Sequence, residues 1–295
     1  MSDQLLVNYP SIPSQEPAGQ VAAEEHEIII ESKSGWIPVD WQEMWHYREL
    51  LYFLVWRDLK VRYKQTTLGV AWAVLQPLFS MVVFSIIFGK LAGLNSEGYP
   101  YAVFVYAGLL PWTFFASAVG LAGQSLVNQQ HMLTKVYFPR LFIPTASIGA
   151  SLVDLLISGA VYAAILCWYH VWPTWQMLAL PGLLLLTVIA VLGAGYILSA
   201  LTVRYRDFRH AVPFMLQAMM YISPVVYSVS IFPAKFHWLL ALNPMMGIID
   251  GYRSAILGRP WNYDTLIVST CSALAMFLYG LFYFHRVERK FADIA

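Results

Sequence analysis

The chain has 295 residues, of which 59% are apolar and 12% carry charge, with a formal net charge of +1. Soluble globular chains are charged at roughly a quarter of positions, so too little polar surface remains here to cover a water-soluble body of this size. The proportions fit a chain whose solvent is lipid.

Residues 1–40 read as an acidic, proline-dotted polar tail (Glu24, Glu25, Glu27, Glu31). It lacks the basic start and short apolar core of a secretory leader. A short strand over "HEIIIESKSGW" is conceivable, but a free tail is expected. Residues 41–57 predict an amphipathic helix lying in the membrane interface. Trp41, Met44, Trp45, Leu51, Tyr52 and Val55 fall on one face at helical spacing, with Gln42, Glu43 and His46 opposite. Asp40 stands as an N-cap three residues before Glu43. The alternative is a plain continuation of the first span, against which Glu43, His46, Arg48 and Glu49 argue, since none could enter hydrocarbon. Next come Arg57, Asp58, Lys60, Arg62 and Lys64, and then no charge from Gln65 to Gly89. Lys60, Arg62 and Lys64 suit anionic headgroups, each worth about 1 kcal/mol near the surface.

A spanning helix needs roughly 20 mainly apolar residues. Such runs occur at about 66–89, 101–123, 141–167, 177–201, 211–230 and 264–284. They are longer than the alternating segments of about ten residues that a transmembrane barrel needs. The expected fold is therefore an all-α integral membrane protein of six spans over residues 66–285, with 286–295 as a cytoplasmic C-terminus. With the N-terminus inside, cytoplasmic segments hold 14 of the 18 lysines and arginines and outer ones four. Both termini are then cytoplasmic. Residues 223–263 are apolar but cut by Pro224, Pro233, Pro244 and Pro260 into pieces of the length that suits re-entrant segments. Asn243 before Pro244 predicts a helix start, and Asp250 and Arg253 can pair three apart on that helix. Two short helices dipping into the outer leaflet would form a lid; an amphipathic outer loop is the alternative.

No phosphate-binding G-x-x-x-x-G-K-[ST] occurs, and no catalytic Ser/His/Asp context or metal spacing is seen. No catalytic residue, metal ligand or cofactor is expected on the chain. Cys167 and Cys271 lie at helix depths and imply no disulfide framework. Asp264 sits at the very start of the last expected span; Asp154 is the one formal charge in the interior of any, a functional candidate by default, although a Ser or Tyr hydroxyl or a neighbouring chain could simply pair it. Trp112, Trp168, Trp172, Trp175, Trp238 and Trp261 fit interface belts. Trp72, Phe79, Phe84, Phe88, Phe214, Tyr221 and Tyr227 lie deeper, where aromatic walls would suit a saccharide path and lipid-facing packing is the commoner use.

Five stretches in order carry a resemblance: "RDLKVRYKQTTLGVAWAVLQPL" (57–78), "LLPWTFFASAVGLAGQSLVNQQHMLTKVYFPRLFIP" (109–144), "VRYRDFRHAVPF" (203–214), "YISPVVYS" (221–228) and "LNPMMGIIDGYRSAILG" (242–258). Over residues 45–295 the chain resembles the permease subunits of ABC-2 type exporters of O-antigen, capsular polysaccharide or teichoic acid. The resemblance implies a coupling helix at about 125–140, with Asn128, His131, Lys135, Tyr137, Phe138 and Arg140 docking into a separate ATPase. It implies a second cytoplasmic contact at Arg204, Arg206 and Asp207, the aspartate pairing with one of those arginines. It implies an interface helix bearing Trp41, Trp45, Arg48 and Glu49, and an outer gate including Pro233, Asn243, Pro244, Asp250 and Arg253. Two copies, two ATPase chains carrying ATP and magnesium, a lipid-linked polysaccharide and membrane lipids would be the partners in a bacterial inner membrane. No nucleic acid is expected. The rival readings are an ABC-2 exporter of a small amphipathic compound or drug, a membrane glycan-processing enzyme and a passive channel subunit.

Overall fold

A computed structural model describes residues 41–64, 71–133, 138–233 and 236–288. The acidic tail, residues 66–70 of the first expected span, Lys135, Tyr137 and residues 289–295 lie outside the described residues, as do the side chains of Trp41 and His131. Among the described residues all regular structure is helical, and five helices are long and apolar enough to cross a membrane.

The chain opens with α1 (Trp41–His46) and α2 (Arg48–Lys64), parted by a turn at Tyr47. The first span is α3 (Ala71–Phe84) running into a π-helical stretch, Ser85–Leu91. Then come α4 (Tyr101–Asn128), the short α5 (Gln130–Leu133) and α6 (Phe142–Trp168). A 3-10 turn at Trp175–Ala179 leads into α7 (Leu180–Arg204), followed by α8 (Phe208–Ile222). The short α9 (His237–Leu240), α10 (Pro244–Leu257) and α11 (Tyr263–Glu288) complete the order.

α4 is the centre, packed by α3, α6, α7, α8 and α10. Its run "VFVYA" (Val103–Ala107) is wholly buried, as expected of a helix that is apolar on every side. Between lipid-exposed helices there is no hydrophobic drive to associate, so close backbone approach through small residues matters. α7 and α11 use this directly. A Cβ on Gly193 would lie 2.7 Å from the Phe277 backbone nitrogen, and one on Gly280 would meet the Gly193 carbonyl.

Two expectations need correction. The run 211–230 is not one continuous spanning helix. α8 has 15 residues, about 22 Å of helix at 1.5 Å per residue, short of a hydrocarbon core of about 30 Å. Pro224 disfavours helical geometry at the residue before it, and Ser223 is extended with ψ 146°. The apolar run continues past that break as irregular chain. The amphipathic helix also differs, because α2 reaches Lys64 rather than residue 57. Its inward residues are Met44, Tyr47, Leu50, Leu51, Leu54 and Val55, while Trp45 and Tyr52 stay exposed. The stretch 47–56 is apolar on two sides, and the expected single face divides between them.

α10 begins where the sequence places it. The Asn243 side chain accepts from the Met245 amide at 3.1 Å, Pro244 takes the first turn, and Gly258 ends the helix at φ +69°. All 14 residues of α10 are buried. Near its start, the Gly247 amide donates at 3.0 Å to Ser269, two turns inside α11. At its end, the Leu257 carbonyl accepts from Tyr99 just before α4, and Gly258 faces Thr174 between α6 and α7. α10 therefore starts about 9 Å inside the end of α11, at 1.5 Å per residue, and runs to that end of the bundle. It is walled by α4, α7 and α11.

Candidate functional site

The bundle has a basic end, where the α4–α6 and α7–α8 connections and the close of α11 lie, and an opposite end capped by α10. At the basic end a second apolar cluster joins Leu54 of α2, Leu126 of α4, Phe138, Leu141, Phe142 of α6, and Phe284 and Val287 of α11. Phe138 points into it, 5% exposed. Arg140 donates to the Glu288 carbonyl at 2.9 Å. These two expected docking residues thus hold their loop to the bundle, whereas Asn128 at the end of α4 stands exposed. Arg57 of α2 donates to the Met132 sulfur of α5 at 3.5 Å, so α2 also braces this connection.

The α7–α8 turn exposes Arg204, Arg206 and Asp207 together. Among the described residues Asp207 makes no ion pair with either arginine. Its backbone carbonyl instead accepts from His210 and Ala211 as α8 begins, and Arg204 lies over the Tyr205 ring at 5.1 Å. Of the interface-helix residues, Trp45, Arg48 and Glu49 are exposed, with the Arg48 guanidinium 5.1 Å from the Trp45 ring centroid.

At the opposite end the expected Asp250–Arg253 pair does not form. Arg253 is completely buried and donates to three backbone carbonyls: Val225 at 2.7 Å, Tyr227 at 2.9 Å and Phe104 at 3.3 Å. Its guanidinium stacks 3.7 Å from the Phe104 ring centroid. The reason lies in residues 223–228, whose non-helical backbone leaves carbonyls without partners inside apolar surroundings, and a planar guanidinium can serve several at once. Burial draws the Arg253 guanidinium down to about 10, so it stays ionised at neutral pH. Asp250 lies instead 3.6 Å from Arg259, which also pairs with Glu97 in the α3–α4 loop. Burial pushes the Asp250 carboxyl up from the usual carboxylate range, against the pull of Arg259 and Arg253. Glu97 further accepts from the Ser228 hydroxyl. Three connections and α10 are thereby fastened at one point. Sequence reading missed Glu97 and Arg259; their opposite charges in two loops expected on the same side were the available signal. Pro233 is exposed beside this region.

The candidate path residues separate. Trp72 and Phe79 face outward on α3 beside Leu75, Val82 and Ile86, with Phe79 72% exposed. Phe84 and Phe88 turn away and meet each other at 5.8 Å. Phe214, 73% exposed, and Tyr221 line an outer face of α8. Tyr227 is half-buried and donates to the Ile222 carbonyl at 2.6 Å, closing the turn after α8. Asp154 is not alone: Arg62 and Tyr63 of α2 both donate to it. Arg62 is thus engaged within the bundle rather than free among headgroups.

A bundle of membrane-length helices with a short, wholly buried helix at one end and an exposed basic turn at the other has the build of a membrane transport subunit. The sequence profile of the ABC-2 type transporter family matches residues 49–257, and the chain belongs to that family. It is 33% identical over 215 residues to an O-antigen export system permease protein RfbA of Myxococcus xanthus, covering 72% of this chain and 82% of that one. A Klebsiella pneumoniae protein of the same name is 28% identical over 247 residues, 83% of this chain and 95% of its own. The polysialic acid transport protein KpsM of Escherichia coli is 24% identical over 235 residues, covering 76% and 89%.

Proposed function

We propose that this chain is the membrane-spanning permease of an ATP-driven exporter that moves a lipid-linked polysaccharide across a bacterial inner membrane. The observation carrying the reading is the family match across 49–257, together with relatives named for O-antigen export and polysialic acid transport. On this reading the basic end is cytoplasmic, in line with the lysine and arginine distribution. A separate ATPase docks on the α4–α6 connection and the exposed Arg204–Asp207 turn, and binds and hydrolyses ATP there. This chain performs no covalent chemistry; its work is positioning.

Two copies pair to enclose the path, because one small bundle gives little room for a polymer. The exposed stripes of α3 (Trp72, Phe79) and α8 (Phe214, Tyr221) are the faces available for this role. They offer rings on which apolar sugar faces can stack. Closure of the ATPase pair pushes the docking connection, and the charge-fastened opposite end yields to release the glycan outward.

The test is co-purification with the ATPase, comparing the wild type with a chain in which the exposed Asn128, Arg204 and Arg206 are replaced by Ala. The replaced chain should insert yet recover no ATPase; unchanged complex yield refutes the docking role. Deleting the gene should remove a surface glycan. Loss of drug resistance with the glycan intact favours a small-molecule exporter instead.

A further inference from the structure

α2 and α6 meet along a polar seam that the transport reading above leaves unused. At its foot Leu54 is buried, and Val55 packs so closely that a Cβ on Gly149 would lie 2.9 Å from it. Beyond that contact the pairing turns polar. The Ser147 hydroxyl donates to one Asp58 oxygen at 3.4 Å, and Arg57 holds the other at 2.8 Å. Further along, Arg62 takes one oxygen of Asp154 and the Tyr63 hydroxyl the other, with the Ser151 hydroxyl 3.5 Å from the Arg62 guanidinium.

Asp154 stands about 18 Å along α6 from Phe142, where a lone carboxylate is costly. Paired charges at such sites contribute little net stability against apolar residues of similar shape. What they fix well is register. A slip of α2 by one helical turn, about 5.4 Å, would break at once every hydrogen bond of the seam that crosses from α2 to α6. The connectivity gives that register a use. α6 starts directly after Phe138–Arg140, Arg57 touches Met132 of α5, and α2 precedes the first span. Both flanks of the docking connection are therefore tied to α2.

We propose that Asp154, with Arg62 and Tyr63, is a positioning residue for energy coupling: the seam makes α2 and α6 one lever, so that a push on the docking connection moves the first span and α6 together. The inference rests on the exporter reading and adds to it how the push is divided.

The experiment uses the full-length chain with its ATPase, in a background where Cys167 and Cys271 are serine. Val55→Cys and Gly149→Cys report the seam by disulfide cross-linking; export per ATP hydrolysed reports coupling. Asp154→Asn and Arg62→Gln should each keep complex yield and ATPase activity while lowering export per ATP roughly tenfold. The double change Arg62→Gln with Asp154→Asn leaves no unpaired charge, and should recover to within about threefold of wild type. Cross-link yield should follow the same order. Undiminished export per ATP in both single variants overturns the proposal, as does a double variant no better than the worse single one. If no ATPase co-purifies, the exporter reading fails, while the cross-link still decides the seam: equal yields in all four backgrounds overturn it.

Discussion

Replacing Arg253 tests the account of the buried end most directly. Arg253→Met keeps much of the apolar stem and removes the guanidinium, leaving the carbonyls of Phe104, Val225 and Tyr227 without their donor. Hydrogen bonds to a charged group are worth about 1.5–3 kcal/mol each, but the contact at 3.3 Å is the weaker one and the terms do not add freely. Removing a buried charge also recovers part of its desolvation cost. The net expectation is about 3–5 kcal/mol of destabilisation, from carbonyls left unsatisfied in a buried site at about 1–3 kcal/mol each. Arg253→Lys keeps the charge without the planar fork, and should lose roughly half as much. In lipid-supplemented detergent, intrinsic tryptophan fluorescence on heating should show a midpoint lowered by on the order of 10 °C for Arg253→Met. A shift under about 2 °C would refute the view that this guanidinium holds residues 223–228 in place.

Three further outcomes follow from particular contacts. Asn243→Ala removes both the α10 cap and the 2.8 Å hydrogen bond to Ser223, and should cost about 1–2 kcal/mol in the same melt; Asn243→Asp, which keeps the capping oxygen, should cost less. Gly193→Val would drive a side chain into the α11 backbone, and should abolish recovery of folded protein, whereas the same change at Gly159, which has open space around it, should be tolerated. Glu97→Gln weakens the fastening at Arg259 and should raise protease cleavage of the 223–236 segment several-fold without lowering ATPase binding.

The sequence made the lipid-facing class, all five membrane-length helices and the start of α10 legible, because run length and the Asn243–Pro244 pair act locally. It misled where long-range demands overrode local rules. An i,i+3 pairing of Asp250 with Arg253 is sound helix chemistry, but the carbonyls freed around Ser223–Tyr227 claim the guanidinium first. The length of α8 was hidden because hydropathy continues smoothly through a proline-induced break. Asp154 looked solitary because its partners lie some ninety residues earlier in the chain. On α2, aromatic residues around the whole circumference concealed which side meets the bundle. The docking connection was read from its resemblance, and its visible members proved to differ in kind: Asn128 faces outward, while Phe138 anchors.

The complete enclosure of α10 bears on how this protein is made. A fourteen-residue helix carrying Asp250 and Arg253 has little tendency to enter lipid unaided, since each charged residue opposes insertion by about 2.5–3.5 kcal/mol near a helix centre. Its lodging is furnished by α4, which supplies the Phe104 ring and carbonyl, and by α7. α10 therefore settles only where those two spans have come together, and α11, the next helix of the nascent chain, closes the cradle behind it.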